Sequence, residues 1–209
     1  MSEQPSSPAA ERNKQPILDA LRDILAARGT ALEIASGTGQ HAAWFAAGLP
    51  GWTWQPTDAD RGALPAIAQW TQRGGLDNVR PPLWLDVMSA RWPSEGMAFE
   101  RAFDAVFCAN MLHISPWSTC AALMRGSGRH LSPGGTLITY GPYFENDVVT
   151  APGNLAFDQD LRVRNPEWGI RRLEDVRREA GLAGLALQSR HAMPANNLLL
   201  VFRPAALPL

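Results

Sequence analysis

The fold is decided by residues 32–41, which read Leu-Glu-Ile-Ala-Ser-Gly-Thr-Gly-Gln-His. An apolar run over residues 31–35 predicts a short buried strand, and this run leads into a turn that contains Gly37 and Gly39. Residues 40–47 then have a composition typical of a helix. Glycines allow a tight turn and a close approach of the backbone to a ligand, so this strand, turn and helix predict a nucleotide-binding unit.

Strand and helix patterns alternate along the rest of the chain. Further strands are predicted at residues 52–57, 82–85, 102–109 and 135–140, and helices are predicted before the first strand and at residues 62–70, 116–131 and 171–181. This alternation is typical of a parallel sheet with helices on both faces. Too few residues separate the last two strands, 182–191 and 197–202, for a crossover helix, so these strands must form an antiparallel hairpin. The sequence therefore predicts an α/β, Rossmann-like fold with a mostly parallel, seven-stranded sheet.

The length of 209 residues fits one domain of this kind. Residues 1–8 are polar and are predicted to be a disordered tail, which leaves residues 9–209 for the domain. Residues 141–168 show no sustained period and are predicted to be a long irregular insertion. Because this insertion follows the fifth strand at the sheet edge where ligands bind in such folds, we expect it to cover the substrate side.

Composition excludes several classes of protein. The 19 Lys and Arg residues balance 20 Asp and Glu residues, and a net charge of −1 gives no general attraction for a nucleic acid. The longest apolar stretches are much shorter than a membrane span, and the first residues do not resemble a secretion signal, so we expect a cytoplasmic protein. The two cysteines, Cys108 and Cys120, suit neither a metal cluster nor a disulfide framework, and both are expected to be reduced and buried. The sequence does not predict the oligomeric state.

An acidic residue suited to binding a ribose follows the glycine turn. Asp58 ends the next predicted strand, where a carboxylate can accept hydrogen bonds from ribose hydroxyls. A ligand that contains adenosine is therefore expected, and both NAD and S-adenosylmethionine (SAM) fit. Three features favour SAM because they resemble class I SAM-dependent methyltransferases: Glu33 inside the first strand, Asp86 after the third strand, and the terminal hairpin. Two alternatives stay open for these acids, since Glu33 could be a capping or ion-pairing residue and Asp86 could cap a following helix.

Four segments together resemble an uncharacterised methyltransferase-like family, a domain of unknown function. They are residues 11–18, residues 32–41, the Asn-Met-Leu-His-Ile segment at 110–114, and the Asn-Pro-Glu-Trp-Gly-Ile-Arg segment at 165–171. The resemblance extends from about residue 9 to residue 202. It implies a class I SAM-dependent methyltransferase fold with SAM as cofactor, and it implies no particular substrate.

The resemblance also implies which residues contact SAM. Asp58 would bind the ribose, Asp86 and Val87 the adenine, and Asn110 would face the sulfonium side. The methionine part would lie against Glu33, Ser36, Gly37 and Gly39. We expect Arg12 and Asn13, in the helix before the first strand, to fold over the cofactor, with the Arg12 guanidinium on the SAM carboxylate. His41 is expected to help to shape the pocket.

The acceptor side is predicted from the chain after the fourth strand. His113 is the candidate general base, because an ordinary histidine pKa near 6.5 suits proton transfer. The alternative is a structural histidine that orients a loop. Tyr143 and Asp158 are the other catalytic candidates, within an insertion whose aromatic and polar residues predict a small, aromatic or partly apolar acceptor. A basic run around the insertion is expected to be a solvated face, and the alternative is that it binds an anionic substrate; the run consists of Arg162, Arg164, Arg171 and Arg172.

The chain lacks the Asn/Asp-Pro-Pro-Tyr/Phe motif of enzymes that methylate the amino groups of nucleic acids, because Met, Leu and His follow Asn110. The sequence thus predicts a methyltransferase with a small-molecule substrate and with no nucleic-acid or membrane partner. Two other functions remain open. One is an NAD-dependent oxidoreductase, and the other is a SAM-binding partner module without catalysis.

Overall fold

The computed structural model describes residues 6–99 and 102–205. The chain divides into two compact units, Met1–Phe107 and Cys108–Leu209. Residues 1–5 of the predicted tail lie outside the described residues, but the tail ends earlier than predicted because a helix begins at Pro8. Ser7 starts this helix, since its Oγ accepts a hydrogen bond from the Ala10 backbone at 3.3 Å.

The first unit has parallel strands connected by helices. Its elements are α1 (Pro8–Ile24), β1 (Gly29–Ile34), α2 (Gln40–Gly48), β2 (Trp52–Asp58), α3 (Leu64–Arg73), β3 (Leu83–Trp84) and most of β4 (Phe103–Ala109). The strand order is β3-β2-β1-β4. β1 pairs in parallel with β2, and β2 pairs in parallel with β3. The parallel α/β arrangement predicted for this part of the chain is confirmed.

Apolar side chains from strands and helices form the core of the first unit. Ile34 of β1, Phe45 of α2, Trp54 of β2 and Ile67 of α3 are at most 1% exposed. Burying a large apolar side chain contributes about 1.5–3 kcal/mol. The core therefore fixes the ends of β1 and β2, where the predicted cofactor residues lie.

The second unit is built around antiparallel pairs. Its elements are α4 (Ser118–His130), β5 (Leu131–Phe144), α5 (Pro152–Arg164), β6 (Arg171–Arg172), α6 (Leu173–Leu182), β7 (Leu185–Met193) and β8 (Asn197–Pro204). β8 lies between β5 and β7 and pairs with both in antiparallel register. The predicted C-terminal hairpin is confirmed. The two-residue β6 pairs with β5 and is an eighth strand that the pattern does not predict.

The prediction of an irregular connection over residues 141–168 is wrong. β5 extends to Phe144, and Pro152 starts helix α5, a favourable place for proline because the first turn needs no backbone donor. Leu161 is the buried side chain of α5, whereas Val163 is 81% exposed. A helix with so few buried positions has no clear apolar period, which explains why the pattern did not predict it.

Two further expectations concern membranes and cysteines. None of the helices in the described part of the chain is long and apolar enough to cross a membrane. Neither Cys108 nor Cys120 forms a disulfide among the described residues, and both are buried, as predicted. Within residues 6–99 and 102–205, no three His, Cys, Asp or Glu side chains form a group that could hold a metal ion.

Candidate functional site

The glycine turn after β1 has the backbone geometry that its sequence predicts. Gly37 and Gly39 have φ values of +57° and +88°, in the left-handed region that favours glycine. A Cβ on Gly39 would lie 2.6 Å from the Cα of Ile67, whereas a Cβ on Gly37 would have no atom within 4 Å. Gly39 is therefore required for packing, and Gly37 leaves open space beside the turn. Ala35 also has a positive φ, +56°, which is strained for a residue with a side chain.

Asp58 holds the turn from the end of β2. Its Oδ2 accepts a hydrogen bond from the Gly37 backbone at 2.8 Å, and its Oδ1 accepts one from the Asp60 backbone, also at 2.8 Å. Hydrogen bonds to an ionised carboxylate are stronger than those between neutral groups. Asp58 thus orders the turn in addition to its predicted role at a ribose.

Glu33 and Ser36 lie beneath the turn and are buried. Burial raises the pKa of Glu33 to about 8, and the nearby negative charge of Asp58 acts in the same direction. The Trp54 Nε1 donates a hydrogen bond of 2.5 Å to Glu33 Oε2. Ser36 Oγ accepts a hydrogen bond from the Thr57 backbone at 3.2 Å, which ties the turn to β2. Glu33 is therefore a protonated, hydrogen-bonded acid at neutral pH. The alternative that Glu33 forms an ion pair is wrong.

Helix α1 is attached to the start of α2. His41 Nε2 donates a hydrogen bond of 2.7 Å to Asn13 Oδ1, and the imidazole stacks on Phe45 with 5.1 Å between ring centres. Burial lowers the pKa of His41 to about 4, so the ring is neutral at pH 7. Arg12 is exposed and forms no hydrogen bond or ion pair with the residues that the structure describes. Its guanidinium is thus available for an anion.

Asp86 and Val87 follow β3. Asp86 Oδ1 accepts a hydrogen bond from the Met88 backbone at 2.9 Å, and Val87 is buried. No helix begins there, so the alternative that Asp86 caps a helix is wrong, and the carboxylate instead stabilises a turn.

A cavity of about 280 Å³ lies on the outer side of α2 and is lined by none of the predicted site residues. It lies between α1, α2 and the end of α3, and Trp44 and Trp70 are its aromatic walls. The Lys14 Nζ is 4.2 Å from the centre of the Trp44 ring. The sequence pattern does not predict this cavity, because its walls come from three helices that are separate in the sequence.

In the second unit, Asn110 and His113 follow β4 in a tight turn. Asn110 has a φ of +61°, and its backbone N–H donates to the Tyr140 carbonyl of β5 at 2.8 Å. Asparagine adopts this left-handed conformation more readily than most residues with side chains. His113 lies in the next short helical turn and is 1% exposed.

The His113 imidazole is buried without a hydrogen-bond partner. Neither ring nitrogen has one among the described residues, and the ring packs edge-on against Tyr143 with 5.3 Å between ring centres. Burial and the charge of Arg171 lower the pKa of His113 to about 3, although Asp158 and a nearby backbone group of Gly169 act in the opposite direction. The ordinary pKa expected for a general base at this position is therefore wrong.

Tyr143 and Asp158 are both engaged within the second unit. The Tyr143 hydroxyl and Thr139 Oγ1 are 2.9 Å apart, and burial raises the pKa of the phenol. Asp158 Oδ1 accepts a hydrogen bond from the Ile170 backbone at 2.7 Å, and Oδ2 accepts one from Arg162 Nε at 2.8 Å. Asp158 thus holds the start of the 170–172 segment, and Tyr143 forms a wall beside His113.

The sequence pattern does not reveal the structural role of Arg171. Its Nε donates to the Leu112 carbonyl at 2.8 Å, and its Nη2 donates to the carbonyls of Ser115 at 2.5 Å and Glu167 at 2.8 Å. The expectation of a solvated basic run is therefore wrong for this residue. Its place at the end of the distinctive 165–171 motif was the signal that could have identified it.

Comparison with known proteins assigns a family and a fold. Residues 4–204 match the family described as "Protein of unknown function (DUF938)". An O-methyltransferase family protein from Burkholderia thailandensis is 21% identical, with a TM-score of 0.77, and the match covers 95% of this chain and 58% of that chain. Human N-acetylserotonin methyltransferase in complex with SAM is 15% identical, with a TM-score of 0.72, and the match covers 95% of this chain and 53% of that one.

A third solved structure is an O-methyltransferase family 2 protein from Planctomyces limnophilus in complex with apigenin. It is 18% identical, with a TM-score of 0.75, over 93% of this chain and 59% of that chain. This chain thus spans little more than half the length of these neighbours. At such identities the similarity shows the fold, and the predicted Rossmann-like class I methyltransferase fold is confirmed.

Proposed function

Because the chain belongs to the DUF938 family of proteins of unknown function and has a class I methyltransferase fold, we propose that it is a SAM-dependent methyltransferase with a small, aromatic or partly apolar acceptor. The observation that carries this proposal is the turn after β1. Two left-handed glycines there leave open space at Gly37, directly above a buried carboxylate at Asp58. Backbone of this form can approach a ligand more closely than a chain with side chains could.

The residues of the first unit fit SAM. Arg12 offers an exposed guanidinium for the carboxylate of the cofactor, and Asn13 and His41 hold α1 against the start of α2. Asp58 retains lone pairs for ribose hydroxyls, since each of its oxygens accepts one backbone hydrogen bond. The other proposed cofactor residues of the first unit are Glu33, Ser36, Gly37, Gly39, Asp86 and Val87. Asn110, in the second unit, is also proposed. When bound, SAM supplies a methyl group on a positively charged sulfonium, which is an activated donor.

The protein contributes alignment and the exclusion of water, because an activated donor needs little further chemistry. On the acceptor side we propose His113, Tyr143 and Asp158. His113 offers two ring nitrogens that are unpartnered among the described residues. Tyr143 contacts the His113 ring, and Asp158 orders the chain at Ile170. An aromatic acceptor is also supported by one structural neighbour, which holds apigenin.

Ligand binding tests the cofactor assignment directly. We expect SAM and S-adenosylhomocysteine (SAH) to raise the melting temperature, because a ligand at 100 times its Kd stabilises a folded protein by about 2.7 kcal/mol. NADH at the same concentrations should have no effect. The converse result, in which NADH stabilises the protein and SAH does not, would make the protein an NAD-dependent oxidoreductase.

A pair of neighbouring variants makes this test specific. Asp58→Asn should weaken SAH binding by about tenfold or more, because hydrogen bonds to a charged group contribute about 1.5–3 kcal/mol. Asp60→Asn is the matched control, since Asp60 caps a short turn and asparagine caps equally well. Equal SAH affinity for the two variants would remove Asp58 from the site. SAM binding without methyl transfer to any molecule would indicate a non-catalytic SAM-binding module.

A further inference from the structure

The cavity of the first unit is separate from the residues proposed for the cofactor and the acceptor. Its volume is about 280 Å³, and its walls come from α1, α2 and the end of α3. None of the proposed cofactor residues is among the described residues that line it. Pockets for small ligands begin at about 300 Å³, so this cavity suits a molecule of one or two rings.

One face of α2 forms the inner wall of the cavity. Gln40, Ala43, Trp44 and Ala47 are spaced at i, i+3, i+4 and i+7, so they lie on the same side of the helix. The two alanines have no side chain beyond Cβ and leave room beside the helix. Trp44 is 37% exposed, whereas the adjacent Phe45 is buried in the core. This face of α2 therefore presents an indole ring that a ligand can cover.

Tryptophans from two helices supply the aromatic surface of the cavity. Trp44 belongs to α2 and Trp70 to α3, and Leu76 adds a further apolar side chain. Aromatic rings pack favourably in offset-stacked and edge-to-face arrangements, and an indole offers a large surface for both. Walls of this kind favour a planar aromatic ligand.

The charged side chains that line the cavity are cations. They are Lys14 of α1 and Arg73 in the last turn of α3, and no acidic residue lines the cavity in the described part of the chain. The Lys14 side chain is only 17% exposed, and its Nζ lies 4.2 Å from the centre of the Trp44 ring. An ammonium group is attracted to the face of an indole, which holds Lys14 at this wall. A negatively charged group on a ligand would meet both cations.

The ion pair between Lys14 and Glu11 leaves Lys14 able to bind a ligand. Glu11 Oε1 lies 2.5 Å from Lys14 Nζ, but the Glu11 side chain is 58% exposed, and ion pairs with such exposed partners are weak. A lysine ammonium has three donors, of which this pair needs one. The Gln40 Nε2 donates to Glu11 Oε2 at 3.2 Å, which ties α1 to the start of α2 and fixes the shape of the cavity.

We propose that this cavity binds a small, planar aromatic molecule that carries one negative group, such as a carboxylate. The ring lies against Trp44 and Trp70, and the negative group lies beside Lys14 and Arg73. The site goes beyond the proposed methyl transfer and does not depend on it, because the groups that form it are not among the proposed cofactor and acceptor residues. Binding releases water from the two indole rings, and the two cations select an anion over a neutral molecule of the same shape.

Titration with 2-naphthoate in the absence of SAM tests the site. In protein labelled with ¹⁵N-tryptophan, NMR detects the indole N–H groups of the 8 tryptophans, and Trp44→Phe and Trp70→Phe identify the two signals of interest. We expect both signals to shift in a saturable way with a Kd of about 1 mM or tighter, as is typical of ligands of this size. The buried Trp54 should not shift, and its unchanged signal in each variant shows that the first unit is folded. No saturable shift of Trp44 and Trp70 up to about 10 mM naphthoate would overturn the proposal.

The preference for an anion is tested with the neutral amide of the same acid. The Kd of the amide should be about threefold or more above that of naphthoate, and Lys14→Gln should weaken naphthoate binding by a similar factor. Arg22→Gln is the matched control, because Arg22 is an exposed cation of the same helix and pairs with Asp19. Glu11→Gln should act in the opposite direction and strengthen naphthoate binding by about twofold, since it removes the competing carboxylate. Equal affinities for naphthoate and the amide would overturn the anionic class of ligand.

A variant that fills the cavity tests where naphthoate binds. Ala47→Leu adds a large side chain at an exposed helical position, where leucine is well tolerated, and it should weaken naphthoate binding by about tenfold. Ala156→Leu is the matched control, because Ala156 is an exposed residue of α5 that does not line the cavity, and its effect should be below about twofold. Full affinity in Ala47→Leu would place naphthoate elsewhere and overturn the proposal.

Discussion

Glu33 should make the stability of the protein decrease as the pH rises, and Glu33→Gln should remove this effect. Burial raises the pKa of Glu33 from 4.5 to about 8. Between these values the unfolded chain has released the proton and the folded protein still holds it. Stability falls with pH wherever the folded state binds more protons than the unfolded state. The difference between 4.5 and about 8 amounts to about 5 kcal/mol well above pH 8.

Urea denaturation of the two proteins at pH 5, 6.5 and 8 measures this effect. Glutamine retains a side-chain oxygen that can accept the hydrogen bond from Trp54 Nε1 but has no proton to lose. We expect the free energy of unfolding of the variant, relative to the natural protein, to grow by about 3 to 4 kcal/mol between pH 5 and pH 8. His41 and His113 titrate in the same way in both proteins, so their contributions cancel.

Glu95→Gln is the control for this experiment. Glu95 is an exposed acid that forms an ion pair with Arg61, and this pair lowers the pKa of the carboxyl. The difference in stability between Glu95→Gln and the natural protein should therefore be small and constant above pH 6. If the stability curves of the Glu33→Gln and natural proteins are also parallel from pH 5 to pH 8, the claim that Glu33 is buried and protonated is wrong.

Three other predictions concern packing, the glycine turn and a thiol. Gly141→Ala should destabilise the protein by about 1–3 kcal/mol in urea denaturation, because the added Cβ would meet the His113 ring. Gly181→Ala, at an open position in α6, is the control and should stabilise the protein by about 0.5–1 kcal/mol. Equal effects of the two substitutions would contradict this packing. Asp58→Ala should lower the free energy of unfolding by about 2–3 kcal/mol through loss of the hydrogen bonds that hold the turn, and an unchanged urea midpoint would contradict it. Burial raises the pKa of the Cys120 thiol to about 12, so iodoacetamide should not alkylate Cys120 in the folded protein at pH 8, and rapid alkylation seen by mass spectrometry would show that this thiol is accessible.

The parts of the fold that depend on local sequence could be predicted. The turn at Gly37 and Gly39 follows from two residues that tolerate positive φ, and the C-terminal hairpin follows from the short link between its strands. Helix α5 could not be predicted, because its apolar side chains are mostly exposed and so leave no period. β6 is only two residues long and depends entirely on its pairing with β5.

The residues of the candidate site could be predicted from the sequence, but their protonation states could not. The positions of Glu33 and His113 beside predicted strands indicate that both belong to the site. The pKa of each, however, depends on burial and on neighbours from other elements. Arg171 is an example of such long-range dependence, because the carbonyls of Leu112 and Ser115 that it binds lie more than 50 residues earlier in the chain. A single sequence cannot reveal such distant contacts, and the basic run by itself predicts a surface charge for this arginine.

The most direct test of the central claim is methyl transfer itself. The protein is incubated with SAM that carries a deuterated methyl group and with an extract of its source cells, and the products are separated and weighed by mass spectrometry. We predict a small product that carries the deuterated methyl group and that does not form with Asp58→Ala or without the protein. Tight binding of SAM with no labelled molecule in any extract would contradict the claim that this protein is a methyltransferase.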